Sequence, residues 1–269
     1  MEQNGLSIKF DFNENKEREK QLMPLCLAVW NEFELSSERI YVYVAQTEEF
    51  DFTEPRSLNY QGKYFRGIQI GSEDFHNLPP HMLKCVYRPI TEFMDDDVSL
   101  EDTLAYENFV YIRNGTCTES VGFVLTLAHE LQHVTQRCKT RKILFANSLL
   151  FHNLAKTLDP YTTLTAIDIP SEQDANIVSK RIGEKIFGPE LVRKYADSQI
   201  KSFEDMSRYG HSGAHAELIR WQFFQRCDSS VPYDLQAKTI PFFEQYKAKI
   251  TVALAKNYGL DISQEQWWA

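Results

Sequence analysis

"LTLAHELQHVTQ", residues 125–136, carries His129 and His133 four residues apart, with Glu130 directly after the first. Positions four apart on an α-helix share a face. At 3.6 residues per turn the two rings point about 40° apart, one turn above each other. Two imidazoles so placed can hold one Zn²⁺ at about 2.0–2.1 Å each. Glu130 lies one step around the helix, poorly placed as a ligand but within reach of a water on the metal. That is where a general base is needed. The competing reading is an exposed polar turn, or one satisfied core histidine beside a surface pair.

The flanks favour the metal. Phe123, Val124, Leu127, Leu131 and Val134 lie opposite the histidines and form a core-facing stripe. The histidine side carries Gly122, Thr126 and Gln136, with Leu125 the bulky exception, so an open coordination position has room. Thr116 and Glu119 resemble a capping box, which predicts a helix from 117 to about Lys139.

Working outward, residues 16–33 read as a helix broken or kinked at Pro24. Segments 39–46, 63–71, 84–91 and 108–114 are rich in β-branched and aromatic residues and bounded by Gly, Pro, Asn or Asp, which predicts strands. Helices are expected over 141–157 and from just after Pro170 to a stop at Gly188, with three or four more between 189 and 257. Strands first and helices afterwards make the class α+β. No linker interrupts the chain. It reads as one compact unit with an α+β part (1–115), metal-site helices (116–188) and a helical C-terminal part (189–269).

A catalytic zinc needs a third protein ligand and an open position. A third histidine at 139 and a glycine at 136 would suit one family of zinc peptidases, but those positions hold Lys139 and Gln136. Cys85 is an upstream candidate without the glycine-flanked surroundings expected of a cysteine ligand. "IPSEQDANIVSKRIG", residues 169–183, is the better source. Pro170 and Ser171 read as a helix entrance, with Asp174 three after Ser171 as its cap partner. Glu172 falls in the first turn, and Asn176 lies one turn on, where it could bond a ligand histidine and fix its tautomer. Asp168 and Asp174 remain alternatives to Glu172. All three carboxylates could equally be favourable charges near a helix N-terminus.

These residues together resemble the gluzincins, zinc metallopeptidases with two helix histidines and a glutamate from a downstream helix. The run Glu172-Gln173-Asp174-Ala175-Asn176 is similar to the Glu-x-x-Ala-Asp or Glu-x-Glu-Ala-Asn element of some groups. Its Ala-Asn is closest to the cytosolic ImmA/IrrE-type peptidases, which act on regulatory proteins. The likeness spans residues 108–183. It departs from that type at Gln132, where glycine is usual, and in a longer gap to the glutamate. The resemblance implies a zincin-like fold, with a small N-terminal mixed sheet packed on the active-site helix and a largely helical C-terminal region. It also implies one Zn²⁺ held by His129, His133 and Glu172, with Glu130 as the base. The activity would be endopeptidase cleavage of a protein or peptide substrate. A non-catalytic binding module, working through a regulatory partner protein, is the alternative.

An oxyanion-stabilising group is then required. "SRYGHSGAHAEL", residues 207–218, offers Tyr209 and His211 from a loop, with Ser212 capping a helix that carries His215 in its first turn. Ordinary loop and cap roles compete with this, as does a weaker second metal site at His211, His215 and Glu217. Trp267 and Trp268 could anchor a partner or dock on their own protein.

Composition narrows the partners. The net charge of −9 and the absence of a basic stripe argue against nucleic acid; "RCKTRK" at 137–142 reads as a solvated helix end. No apolar run nears the roughly 18 residues needed to cross a bilayer, and the polar, acidic start does not read as a signal peptide. Five widely spaced cysteines without a Cys-x-x-Cys pair suggest reduced thiols and a cytoplasmic location.

Overall fold

The computed structural model describes residues 2–3, 6–10, 16–35, 40–45, 67–71, 108–113, 119–139, 141–151, 165–209, 214–258 and 263. Five strands form one mixed sheet: β1 (Glu2–Gln3), β2 (Leu6–Phe10), β3 (Ile40–Ala45), β4 (Gly67–Gly71) and β5 (Asn108–Arg113), in the order β1-β2-β3-β5-β4. The central strands β2, β3 and β5 run parallel, and β1 and β4 pair antiparallel at the edges. Side chains alternate faces along a strand, so the register Ile8↔Val42↔Val110 sets one apolar row across three strands. All three residues are buried, as are Leu6, Ile40, Val44 and Ile112.

Parallel β2 and β3 need a crossover connection, and α1 (Lys16–Trp30) lies between them in the chain. Its buried residues, Leu22, Cys26, Val29 and Trp30, follow the i, i+4, i+7, i+8 spacing of one helical face. The helix ends three residues short of the expected 33. Glu32 N–H bonds Val29 O and Phe33 N–H bonds Trp30 O, which tightens the exit into 3₁₀-type turns. Pro24 is accommodated inside the helix. The expected strand at 84–91 lies outside the described residues.

The histidine helix is α2 (Ser120–Lys139). It ends where expected but begins later. Phe123 N–H bonds the carbonyl of Glu119 at 3.1 Å, so Glu119 stands at the helix entrance and not at the third helical position a capping box requires. Thr116 lies outside the described residues. The core-facing stripe is buried as expected, with Phe123, Val124, Leu127, Leu131 and Val134 each at most 1% exposed. Every residue from Val121 to Leu131 is buried, including Thr126 (2% exposed) on the histidine side. The helix is exposed at Ser120, Cys138 and Lys139 and half-buried at Gln132, His133, Thr135 and Arg137. On the β2 side, Phe10 and Phe123 place their rings 6.3 Å apart.

The contacts divide the chain into two compact units, Met1–Val134 and Thr135–Ala269. The division falls inside α2, so this one helix contributes to both. The second unit holds the last turn of α2, then α3 (Arg141–Leu150), a 3₁₀ turn (Ala166–Asp168), α4 (Pro170–Phe187), α5 (Pro189–Arg208), α6 (Ala214–Arg226) and α7 (Leu235–Tyr258). Apart from α1, the described strands precede the described helices, in line with the α+β expectation, and most of the described residues are helical. Ala146 and Leu150 of α3 form one core with Ile169 and with Phe243, Ile250 and Leu254 of α7. Between α5 and α6, Tyr195 meets Trp221 edge-on at 5.6 Å, and Trp221 meets Phe224 at 5.1 Å. No described helix is long and apolar enough to cross a membrane.

Gly188 joins α4 to α5 at φ 83°, ψ 152°. That backbone region is essentially closed to other residues and costs them about 1–3 kcal/mol. A Cβ at Gly188 would meet nothing within 4 Å, so the strain is purely conformational. Gly188→Ala is therefore expected to destabilise the protein by about 1–3 kcal/mol, read as a lower urea midpoint with an unchanged slope.

Candidate metal centre

Consecutive turns of α2 bring the His129 and His133 Nε2 atoms to 3.1 Å from each other. The rings meet nearly perpendicular, at 86°, with centroids 4.7 Å apart. A tetrahedral ion with bonds of 2.0–2.1 Å separates two of its ligand atoms by about 3.3–3.4 Å. The nitrogens thus stand within a few tenths of an ångström of the spacing one ion would impose. Glu172, in the first turn of α4, supplies a carboxylate oxygen, and one ligand atom from each of His129, His133 and Glu172 lies within 4.8 Å of the others. Among the described residues this is the one His/Cys/Asp/Glu group of three that could hold a metal ion. His129 is buried at 7% exposed, whereas His133 and Glu172 are half-buried. Two imidazoles and one carboxylate suit a borderline-soft divalent ion such as Zn²⁺.

The alternative carboxylates are engaged elsewhere. Asp168 Oδ2 accepts from Thr165 N–H at 2.6 Å and from its hydroxyl at 3.0 Å, closing the 3₁₀ turn. Asp174 Oδ2 accepts from the Gln136 amide at 2.7 Å. Cys85 lies outside the described residues. Glu130 follows His129 directly and is buried at 5% exposed.

The entrance of α4 differs from the expected cap. Ile169 is the N-cap and Pro170 the first helical residue, so Ser171 is already inside the helix. Ile169 has no side-chain acceptor. The Ser171 N–H is met instead by Asn147 Oδ1 of α3 at 3.1 Å. Asn147 also donates to Ile143 O and to Thr239 Oγ1, each at 2.8 Å, which ties α3, α4 and α7 together. Asn176 turns its amide nitrogen back to Glu172 O at 2.7 Å. Its Oδ1, on a fully buried residue, has no hydrogen-bond partner among the described residues.

Two contributors were missed in the sequence. Gln136 donates to Ser171 O at 3.0 Å as well as to Asp174. Tyr233 donates to Gln173 Oε1 at 2.8 Å. Burial, and then the nearby Asp174 charge, push the Tyr233 phenol well above its usual range, so it stays a protonated donor. The only signal for Gln136 was its place three residues after His133. Nothing local marked Tyr233, which lies 60 residues from its partner.

Tyr209 closes α5 as its C-cap and is 83% exposed. His211 and Ser212 lie outside the described residues, as do Trp267 and Trp268. His215 falls in the first turn of α6, as expected, and is exposed. Glu217 lies 3.4 Å from Arg220, one turn on in the same helix.

No family model, curated protein or solved structure matches the chain.

Proposed function

We propose that the chain is a zinc-dependent endopeptidase of the gluzincin type, with a zincin-like arrangement around α2. The observation that carries this reading is the convergence of one ligand atom each from His129, His133 and Glu172, with Glu130 directly after the first in sequence. His129, His133 and Glu172 would hold one Zn²⁺ and leave a coordination position open. When bound, the ion would lower the pKa of a water and polarise the scissile carbonyl.

Glu130 then takes a proton from the attacking water and returns it to the leaving amine. A scaffold that merely kept the metal would need the ligands but not this carboxylate. Burial around Glu130 and His129 excludes bulk water from the proton transfer. Tyr209 and His211 remain the proposed oxyanion donors, from the segment joining α5 and α6. The substrate is a protein or peptide in the cytoplasm, a regulatory protein by the likeness of the 172–176 element. The cysteines Cys26, Cys138 and Cys227 are compatible with a reducing compartment.

Removing the metal tests the reading. Cleavage of an unfolded protein such as casein is expected to disappear with 1,10-phenanthroline and return with one equivalent of Zn²⁺. A protein that binds zinc yet cleaves nothing would be the non-catalytic binding module instead.

A further inference from the structure

The Gln136 side chain is buried at 2% exposed and uses its amide nitrogen on two acceptors. One is the carbonyl of Ser171, at 3.0 Å; the other is Asp174 Oδ2, at 2.7 Å. A primary amide has two hydrogens, so both are committed. The acceptors flank Glu172, one residue before it and two residues after it. A single side chain therefore grips the α4 entrance on both sides of the carboxylate-bearing residue. Ser171 is held at its other end by Asn147 Oδ1, and Gln173 by the Tyr233 hydroxyl. Residues 171, 173 and 174 are each fixed by a partner from another part of the second unit.

Gln136 lies three residues after His133 on the same continuous helix. Residues three apart are neighbours on a helix surface, with a rise of about 4.5 Å. The helix that presents the imidazoles is thus the one that grips the turn bearing Glu172. We propose that Gln136 is a positioning residue for the third metal ligand, setting the height of Glu172 against the histidine pair. This rests on the metal reading above. Outer partners of metal ligands commonly change affinity by about 10–100-fold when removed.

The test is Zn²⁺ titration of metal-stripped full-length protein, with the apo melting temperature recorded for each variant. Gln136→Met keeps the approximate length and loses the donor. Gln136→Lys keeps a donor for the same two oxygens and meets the Asp174 charge. The expected result is a zinc affinity about 10–100-fold weaker in Gln136→Met and within about threefold of wild type in Gln136→Lys. Should Gln136→Met fail to fold, Asp174→Ala removes one of the two bonds and is expected to weaken zinc in the same direction. A wild type that binds zinc, with Gln136→Met or Asp174→Ala binding it equally well, overturns the positioning role, even if the apo protein melts earlier. A wild type that binds no zinc contradicts the metal centre itself.

Discussion

Glu130→Gln is expected to lower peptide hydrolysis by about 10²–10⁴-fold, the usual contribution of a positioned acid–base group. Zinc content should be unchanged. The amide is nearly the size of the carboxylate, so the enclosed turn around residue 130 keeps its packing. What disappears is the ability to accept a proton from water at neutral pH. The measurement is kcat and KM on a fluorogenic peptide beside zinc content for both proteins. An effect confined to kcat, with KM and zinc retained, marks a group used only in the transition state. Equal activity in both proteins would remove Glu130 from the mechanism.

Asn147→Ala is expected to destabilise the protein by about 3–5 kcal/mol. The side chain is buried at 1% exposed and makes three hydrogen bonds, to Ile143 O, Thr239 Oγ1 and Ser171 N. Truncation strands the Ser171 N–H and the fully buried Thr239 hydroxyl, and each orphaned group costs about 1–3 kcal/mol. The vacated volume adds a smaller penalty. Total stabilities of about 5–15 kcal/mol make this a large fraction. Asn147→Asp separates the parts: it keeps the acceptor for Ser171 and loses the donor to Thr239. Its urea midpoint should fall between those of wild type and Asn147→Ala. A midpoint for Asn147→Ala within 0.5 kcal/mol equivalent of wild type, about the scatter of surface substitutions, would mean that the α4 entrance finds other partners.

Much of the architecture was legible because it is written in short-range patterns. The four-residue spacing of His129 and His133 survives any detail of packing, since helix geometry alone sets it. Pro170 and Gly188 marked both ends of α4, one through its fixed φ and missing N–H, the other through its left-handed φ. Glu172 followed from that boundary, because it had to fall in the first turn.

The rest depends on partners far along the chain. The order β3-β5-β4 sets a late strand between two earlier ones, and no local pattern encodes such a crossover. The core-facing stripe of α2 was legible in Phe123, Val124, Leu127, Leu131 and Val134, whereas the burial of Thr126 and Glu130 beside the histidines rests on contacts from elsewhere in the chain. The Ser171 cap was misread for a similar reason. A serine before an acidic residue resembles a self-contained cap, whereas here the acceptor comes from Asn147, 24 residues earlier. The unit division was invisible because it falls inside a helix, where composition does not change.

Isothermal titration of Zn²⁺ into the metal-stripped protein tests the metal centre most directly. One saturable site is expected in the wild type, lost in His129→Ala and His133→Ala and strongly weakened in Glu172→Ala, with circular dichroism unchanged. A wild type without a saturable site, or three variants that bind as tightly as it does, would contradict the account.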